Sequence, residues 1–275
     1  MTAAAPAPDP GELVELAVGA AERAVDLLVD GLGRARATVE TKSTATDMVS
    51  EMDRASEELI TSTLLGARPG DGLMAEEGGA SLGTSGLRWV IDPLDGTTNY
   101  LYGHPGWAVS IAAEDATGVV AGVVADPMHD EVFTAARGRG AQRNGEPIAC
   151  PHHGDLATAL VATGFGYAAE RRRAQAEVLV GLLPRVRDIR RMGAAAVDLC
   201  SVACGRVDAY FERGLAWWDL AAGALVAREA GALVDSIDGE SPRAGPDAGS
   251  ILAAGPGLFT TLRALLRSLG AHGVL

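Results

Sequence analysis

The chain has 275 residues, 48% of them hydrophobic, and a formal net charge of −13. A chain of this length can bury a substantial core as one large domain or as two closely packed ones. The negative charge argues against a basic surface for nucleic acid and against a polybasic membrane anchor, so neither partner is expected. Three cysteines form no disulfide framework in so long a chain, and no apolar run is long enough to span a membrane. We therefore expect a cytoplasmic protein.

The first part of the chain is predicted to hold a tail and two helices. Residues 1–10 are rich in Ala and Pro, lack the features of a signal peptide and predict a disordered tail. Apolar side chains at helical spacing predict amphipathic helices over residues 12–29 and 48–65. Polar and β-branched residues at 38–46 favour a short extended piece or a loop, and residues 66–87 are predicted to be mostly loop.

Hairpins are predicted in the middle of the chain. Residues 108–113 and 119–126 are apolar runs on either side of a polar turn, and residues 131–136 and 140–148 continue the pattern. An Asn-Gly pair marks a tight turn within the last of these segments. The series of hairpins predicts an antiparallel sheet.

The last part of the chain alternates between strand and helix patterns, which is typical of a layered α/β arrangement. Strands are predicted at residues 159–163, 186–190, 207–211, 232–234 and 250–254, and helices at residues 169–183, 194–203, 219–230 and 258–269. We therefore predict a layered α/β (α+β) fold, an alternating α-β-α-β-α sandwich. Residues 11–154 would form the larger half, with the helix pair and the antiparallel sheet, and residues 155–275 the smaller α/β half.

The stretch from Arg88 to Tyr102 carries the strongest chemical signal. Three bulky residues predict a buried strand, which Asp92 and Pro93 are expected to end, and Asp95 then opens a turn. Two carboxylates are thus delivered onto one tight turn, where they repel each other unless a cation lies between them. Oxygen ligands of this kind suit Mg²⁺, Mn²⁺ or Ca²⁺. The alternative is that both aspartates are ordinary turn residues.

Residues 89–99 resemble the signature of the inositol monophosphatase family, a hydrophobic strand followed by Asp-Pro-(Leu/Ile)-Asp-Gly-Thr-x-Asn. Residues 218–223 resemble its second signature, Trp-Asp-x-Ala-(Ala/Gly)-(Gly/Ala), whose aspartate binds metal in that family and is Asp219 here. Asp219 could otherwise be a helix cap. We expect Trp217 and Trp218, next to it, to pack at the rim of a site.

The resemblance extends to other parts of the chain. The pair Glu76-Glu77 matches two glutamates of the family, of which the first binds metal, although a solvated acidic loop is the alternative. Residues 46–53 match a further family pattern, in which Asp53 would hydrogen-bond Thr97. In the same region Asp47 would cap the second helix or support the ligands from behind, and Lys42 matches a family lysine. Residues 193–196 match a Gly-(Ser/Thr)-Ala-Ala motif, and Glu212 matches an acid that contacts substrate.

The resemblance implies hydrolysis of a small phosphate monoester, with inositol 1-phosphate as the first candidate. It implies Mg²⁺ as cofactor, two or three ions per site with Mn²⁺ possible, as well as a homodimer and inhibition by Li⁺. The implied metal ligands are Glu76, Asp92, the Leu94 carbonyl, Asp95 and Asp219, and the implied catalytic residues are Glu76, Thr97 and Asp53. The implied substrate contacts are Asp95, Gly96, Thr97, Ala195, Glu212 and Asp219.

Several alternatives stay open at this point. Ala194, Tyr102 and Trp217 depart from the family pattern at positions that bear on the choice of substrate. Histidinol phosphate, whose ammonium Glu212 would pair with, is the second candidate, and fructose 1,6-bisphosphate is another. The run 171–173 is three arginines, which would either meet a second phosphate or lie solvated at a helix start. A metal-binding regulatory protein on the same scaffold is the alternative that is not an enzyme.

Overall fold

The computed structural model describes residues 8–32, 39–41, 48–239, 245 and 248–271. For residues 39–41 and 48–50 only the backbone is described. Lys42 and Asp47, which the sequence singled out, lie outside the described residues, as does most of the predicted tail.

The described residues form seven α-helices and fifteen strands. The helices are α1 Pro10–Gly31, α2 Glu51–Ala67, α3 Thr97–Tyr102, α4 Ala169–Leu182, α5 Ala195–Ala203, α6 Trp217–Glu229 and α7 Pro256–Ser268. The first ten strands are β1 Val39–Thr41, β2 Met48–Ser50, β3 Gly72–Ala75, β4 Gly79–Ser81, β5 Arg88–Asp95, β6 Ala108–Asp115, β7 Gly118–Asp126, β8 Glu131–Ala136, β9 Ala141–Arg143 and β10 Glu146–Ile148. The remaining strands are β11 Leu160–Thr163, β12 Asp188–Arg190, β13 Ala209–Leu215, β14 Leu233–Asp235 and β15 Gly249–Ala254.

The larger sheet has eight strands in the order β10-β9-β8-β7-β6-β5-β3-β4. Neighbouring strands are antiparallel except β3 and β5, which are parallel. The antiparallel meander from β5 to β10 confirms the predicted hairpins. The region 66–87 is loop-rich as predicted, but it also contains β3 and β4, which were not predicted because they are only four and three residues long and show no clear alternation.

The smaller sheet has five strands in the order β12-β11-β13-β15-β14. β11 is parallel to both β12 and β13, whereas β15 is antiparallel to β13 and β14. The parallel pairs follow from the chain order, since α4 lies between β11 and β12 and α5 lies between β12 and β13. A helical crossover of this kind returns the chain to the same end of the sheet.

The two sheets and the helices form five layers, as predicted. α1 and α2 cover one face of the larger sheet around the fully buried Trp89 and Ile91, whereas Val90 points to the opposite face. α5 and α6 lie between the two sheets, and α4 and α7 cover the outer face of the smaller sheet. The central layer packs tightly, because a Cβ at Gly122 of β7 would lie 3.0 Å from the Ala222 oxygen of α6.

Several element boundaries differ from those predicted, and three of these differences lie near predicted site residues. Residues 48–50 form β2 rather than the start of a helix, and α2 begins at Glu51. β5 continues through Pro93 to Asp95, although its pairing with β6 is irregular between Asp92 and Asp95, where Pro93 cannot donate. α6 begins at Trp217, so Asp219 lies inside its first turn and does not occupy the cap position. None of the described helices combines the length and the apolarity that crossing a bilayer requires.

Candidate active site

A cavity of about 370 Å³ opens where the turn after β5 meets the start of α6 and the ends of β11 and β13. Its volume lies within the usual range for small-molecule sites. The cavity brings together every residue predicted to bind metal and every residue predicted to contact substrate, namely Glu76, Asp92, Leu94, Asp95, Gly96, Thr97, Ala195, Glu212 and Asp219. The chemical roles assigned to them stay predictions.

Main-chain N–H groups hold three of the four predicted carboxylate ligands. Asp92 accepts from the N–H of Leu94 at 3.1 Å within the same turn. Asp95 accepts from the N–H of Ala196 at 2.7 Å, and Asp219 accepts from the N–H of Ala216 at 2.7 Å. These bonds orient the side chains from three separate parts of the fold.

Gly96 shapes the turn that follows β5. Its φ is +89°, in the left-handed region that favours glycine. A Cβ at this position would also lie 2.6 Å from the oxygen of Gly106, closer than two such atoms pack. A larger residue would therefore displace the turn that carries Asp95 and Thr97.

Asp53 lies behind the cavity wall and is completely buried. The hydroxyl of Thr97 is 3.3 Å from Asp53 Oδ2 and 3.1 Å from the oxygen of Leu94, and its single hydrogen can serve either acceptor. The hydrogen bond expected between Asp53 and Thr97 is therefore present. It links the start of α2 to the cavity.

Burial and mutual repulsion raise the pKa values of the clustered carboxyl groups. Burial, followed by repulsion from Glu76 and Asp95, raises the pKa of Asp92 well above its usual range. Burial, followed by repulsion from Asp95 and Glu76, does the same for Asp219. Burial raises the pKa of Asp95 to about 7, although the N–H of Ala196 opposes the shift. These three carboxyl groups would need positive charge beside them to be ionised together. Oxygen donors of this kind fit Mg²⁺ or Mn²⁺.

Among the described residues, one close group of carboxylates was only partly anticipated from the sequence. Oxygens of Asp53, Glu76 and Glu77 lie within 4.8 Å of one another. Glu77 was not assigned a role, although its position beside Glu76 was a usable signal. Its N–H donates at 2.7 Å to Glu57, whose pKa burial raises. A second acidic side chain therefore stands next to the predicted ligand Glu76.

Glu212 lies on β13 in the part of the cavity formed by the smaller sheet. It accepts a hydrogen bond of 2.8 Å from the hydroxyl of Tyr210. Burial raises the pKa of Glu212 to about 7, and both Tyr210 and the positive charge of Arg191 oppose the shift. Arg191 also lines the cavity, and no sequence motif pointed to it.

The three arginines at residues 171–173 have different surroundings in the structure. Arg171 lines the cavity, but Arg172 donates to the oxygen of Tyr167 and Arg173 pairs with Glu177. The two neighbouring tryptophans also differ in position. Trp218 lines the cavity as expected. Trp217 is buried and donates to Glu114 at 2.9 Å, so the predicted rim position of Trp217 is wrong.

The sequence profile described as the inositol monophosphatase family matches residues 9–271. The chain belongs to the inositol monophosphatase family. This confirms the family inferred from the two signatures. Among inositol monophosphatase relatives, the inositol-1-monophosphatase of Mycobacterium bovis is 44% identical over 247 residues, which cover 86% of this chain and 83% of the relative. A relative from Pasteurella multocida, named Nus factor SuhB, is 42% identical over 229 residues, which cover 82% of this chain and 86% of the relative.

The fold agrees with solved structures of the inositol monophosphatase family. The structure of inositol monophosphatase from Anabaena (Nostoc) has a TM-score of 0.80 and is 34% identical, covering 94% of this chain and 96% of that one. The five-layered arrangement is therefore that of the family.

Proposed function

We propose that this protein hydrolyses a small phosphate monoester, inositol 1-phosphate, in a Mg²⁺-dependent reaction. The observation that carries the proposal is the convergence of Glu76, Asp92, Asp95 and Asp219 on one cavity. These residues come from three separate parts of the chain: the turn after β3, the end of β5 and the first turn of α6. Family membership and the relative named inositol-1-monophosphatase support a phosphatase.

The carboxylates suit a pair of divalent cations. Glu76, Asp92 and the Leu94 carbonyl would hold one, and Asp92, Asp95 and Asp219 would hold a second. Bound cations of this kind supply positive charge to phosphate oxygens and lower the pKa of an attacking water. The raised pKa values of Asp92, Asp95 and Asp219 support this assignment, because burial and then mutual repulsion raise them and a bound cation would offset both effects.

Thr97 would orient the attacking water. When its hydroxyl donates to Asp53, its lone pairs can accept a hydrogen bond from a water in the cavity. Asp53 would stabilise that arrangement. As the water gives a proton to Thr97, Thr97 would pass its own proton to Asp53. The N–H groups of Gly96 and Thr97, at the start of α3, would donate to the phosphate oxygens.

The alcohol would occupy the part of the cavity near Glu212 and Ala195. Glu212 lines the cavity, and Tyr210 donates to one of its two carboxylate oxygens. The other oxygen can accept hydrogen bonds from hydroxyl groups of a polyol. Ala195 offers a small apolar surface. A polyol phosphate therefore suits both ends of the cavity.

The test is phosphate release from inositol 1-phosphate, measured with Mg²⁺ and then with excess chelator. The proposal predicts turnover that depends on Mg²⁺ and falls by about 100-fold or more in Asp219→Asn. A wild-type protein that releases no phosphate above the chelator control would refute it. Histidinol phosphate in the same assay measures the choice of alcohol.

A second candidate is a regulatory protein built on the same scaffold, and the name Nus factor of the Pasteurella multocida relative favours it. Such a protein would need no phosphate release. Absence of turnover on the substrate panel, together with intact folding, would support this candidate over the enzyme.

A further inference from the structure

A buried tyrosine hydroxyl lies behind the part of the cavity that the alcohol would occupy. Tyr210 and Glu212 are two residues apart on β13, so their side chains point to the same face of the smaller sheet. Glu212 lines the cavity, whereas Tyr210 is completely buried and does not line it. Tyr210 therefore acts on a substrate only through a neighbouring side chain.

The hydrogen of this hydroxyl is committed to Glu212. Tyr210 donates to Glu212 Oε2 at 2.8 Å. Burial, followed by the charges of Glu212 and Asp198, raises the pKa of Tyr210 well above its usual range, so the buried Asp198 also lies nearby. Among the described residues, Asp198 Oδ1 has no hydrogen-bond partner. A hydroxyl has one hydrogen to donate, and the fold directs it to Glu212 although a second carboxylate oxygen is left unpaired.

Gly164 confines the same carboxylate from another side. It directly follows β11, and a Cβ at this position would overlap Glu212 Oε2 and lie 2.5 Å from Oε1. The φ of Gly164 is not in the left-handed region, so its backbone would accept an alanine. The contact with Glu212 is what excludes a side chain here. Glu212 is thus held between the hydroxyl of Tyr210 and the backbone of Gly164.

This arrangement leaves Oε1 of Glu212 to accept from an alcohol. An acceptor that is already oriented loses little rotamer freedom when a ligand binds, so a substrate hydroxyl gains more from it than from a mobile carboxylate. An alkyl group without hydroxyls has no hydrogen to donate and would leave a desolvated carboxylate unpaired. A site of this kind therefore rejects such a group.

We propose that Tyr210 is a positioning residue for substrate choice: by holding Glu212 against Gly164, it makes the site select alcohols that carry hydroxyl groups over alcohols of the same shape without them. This inference rests on the proposed function and adds a residue that determines specificity without touching the substrate. Because the hydrogen bond of Tyr210 goes to Glu212 and not to a predicted metal ligand, its loss should raise KM and leave kcat nearly unchanged.

The experiment compares two substrates that share a ring and a phosphate. Cyclohexyl phosphate has the ring of inositol 1-phosphate without its free hydroxyl groups. For the wild-type protein with Mg²⁺, we expect kcat/KM for inositol 1-phosphate to exceed that for cyclohexyl phosphate by about 100-fold or more. In Tyr210→Phe this ratio should fall by about tenfold through a higher KM for inositol 1-phosphate, while kcat/KM for cyclohexyl phosphate stays near the wild-type value.

A second variant and a control accompany Tyr210→Phe. Gly164→Ala displaces the same carboxylate without removing a donor and should lower the ratio in the same way, so it decides the inference if Tyr210→Phe does not fold. Tyr100→Phe is the matched control, because its buried hydroxyl donates at 2.7 Å to the oxygen of Leu28, away from the cavity. It should leave the ratio unchanged.

A double variant separates positioning from a general structural role. In Glu212→Ala there is no carboxylate to hold, so adding Tyr210→Phe should not lower the ratio further. A purely structural role would lower kcat/KM for both substrates alike and would do so with or without Glu212. The inference is overturned by a wild-type ratio near one, by a ratio that Tyr210→Phe leaves intact, or by an equal fall in the Glu212→Ala background.

The same data distinguish this inference from the proposed function. Hydrolysis of both phosphates without a preference for the polyol refutes only the inference. If neither phosphate is hydrolysed, the proposed function fails, and calorimetric binding of inositol 1-phosphate with Mg²⁺ present decides the inference. We then expect Tyr210→Phe to bind about tenfold more weakly than the wild-type protein. Equal binding by the two proteins, or no binding by the wild-type protein, overturns it.

Discussion

The N–H of Ala196 donates a hydrogen bond to Asp95 Oδ2 at 2.7 Å, which joins two residues that are 101 positions apart. Asp95 ends β5 of the larger sheet, and Ala196 lies in the first turn of α5 in the central layer. The bond therefore couples the orientation of a predicted metal ligand to the packing between layers. Positions held from the backbone in this way need little rearrangement when a cation binds.

The first prediction uses this hydrogen bond to separate the effect of the negative charge of Asp95 from the effect of its position. In Asp95→Asn, the amide oxygen can still accept from Ala196, but the negative charge is lost. We expect the fold to be retained and kcat/KM for inositol 1-phosphate to fall by about 100-fold or more. Phosphate release and thermal melting measure the two effects. Full turnover at saturating Mg²⁺ would contradict the role given to Asp95.

The second prediction concerns the hydroxyl of Thr97. Thr97→Val keeps the side-chain shape but removes the group that lies 3.3 Å from Asp53, so we expect kcat to fall by about 100-fold. Thr97→Ser keeps the hydroxyl and should lose much less. If the two variants lose the same activity, the hydroxyl does not orient the water.

The third prediction concerns pH and stability in the absence of metal. The pKa of Glu212 is about 7 in the folded protein, against 4.5 for an ordinary glutamate. Because the unfolded chain releases this proton first, the contribution of Glu212 to stability falls as pH rises from about 4.5 to 7 and stays low above that. The variant Glu212→Gln lacks this loss.

Chemical denaturation in chelator across this pH range tests the third prediction. Relative to the wild-type protein, Glu212→Gln should gain on the order of 3 kcal/mol between pH 4.5 and about 7.5. Asp95 titrates in both proteins, and because the charge of Glu212 helps to raise the pKa of Asp95, the variant also lessens the loss from Asp95, which adds to the expected gain. Parallel stability curves would show that the pKa of Glu212 is not raised.

Much of the fold followed from local patterns. The bulky run Trp89, Val90 and Ile91 indicated a buried strand. α1 and α2 cover one of its faces with apolar stripes, and α5 and α6, which are buried on most sides, cover the other. β2 was missed because Met48 continues the helical spacing of α2, so the periodicity alone cannot mark where the helix begins. Only the pairing of β2 with a neighbouring strand distinguishes residues 48–50 from the helix that follows.

The site was predictable where it depends on motifs and not where it depends on tertiary contacts. Glu76, Asp92 and Asp219 stand in recognisable patterns. Arg191 reaches the cavity because Gly193 leaves room beside it and because α5 places that segment against β5, and no local pattern encodes this placement. Trp217 was misplaced for a related reason, since its partner Glu114 lies 103 positions away.

The fourth prediction separates the two tryptophans. Trp217→Phe removes the donor to the buried Glu114, which retains its ion pair with Arg88, and should cost about 1–2 kcal/mol of stability. Activity should stay close to that of the wild-type protein, because Trp217 does not line the cavity. The matched change Trp218→Phe should alter kcat/KM more and the melting temperature less. The reverse pattern would contradict the structure.

The most direct test of the central claim is a count of bound divalent cations. Mn²⁺ binding, followed by electron paramagnetic resonance of the free ion, should show at least two sites per chain that Mg²⁺ competes for. Asp92→Asn should lose at least one site or weaken it by about tenfold or more, whereas the exposed control Glu146→Gln should match the wild-type protein. Binding by Asp92→Asn equal to that of the wild-type protein would contradict the account, as would a wild-type protein that binds no Mn²⁺.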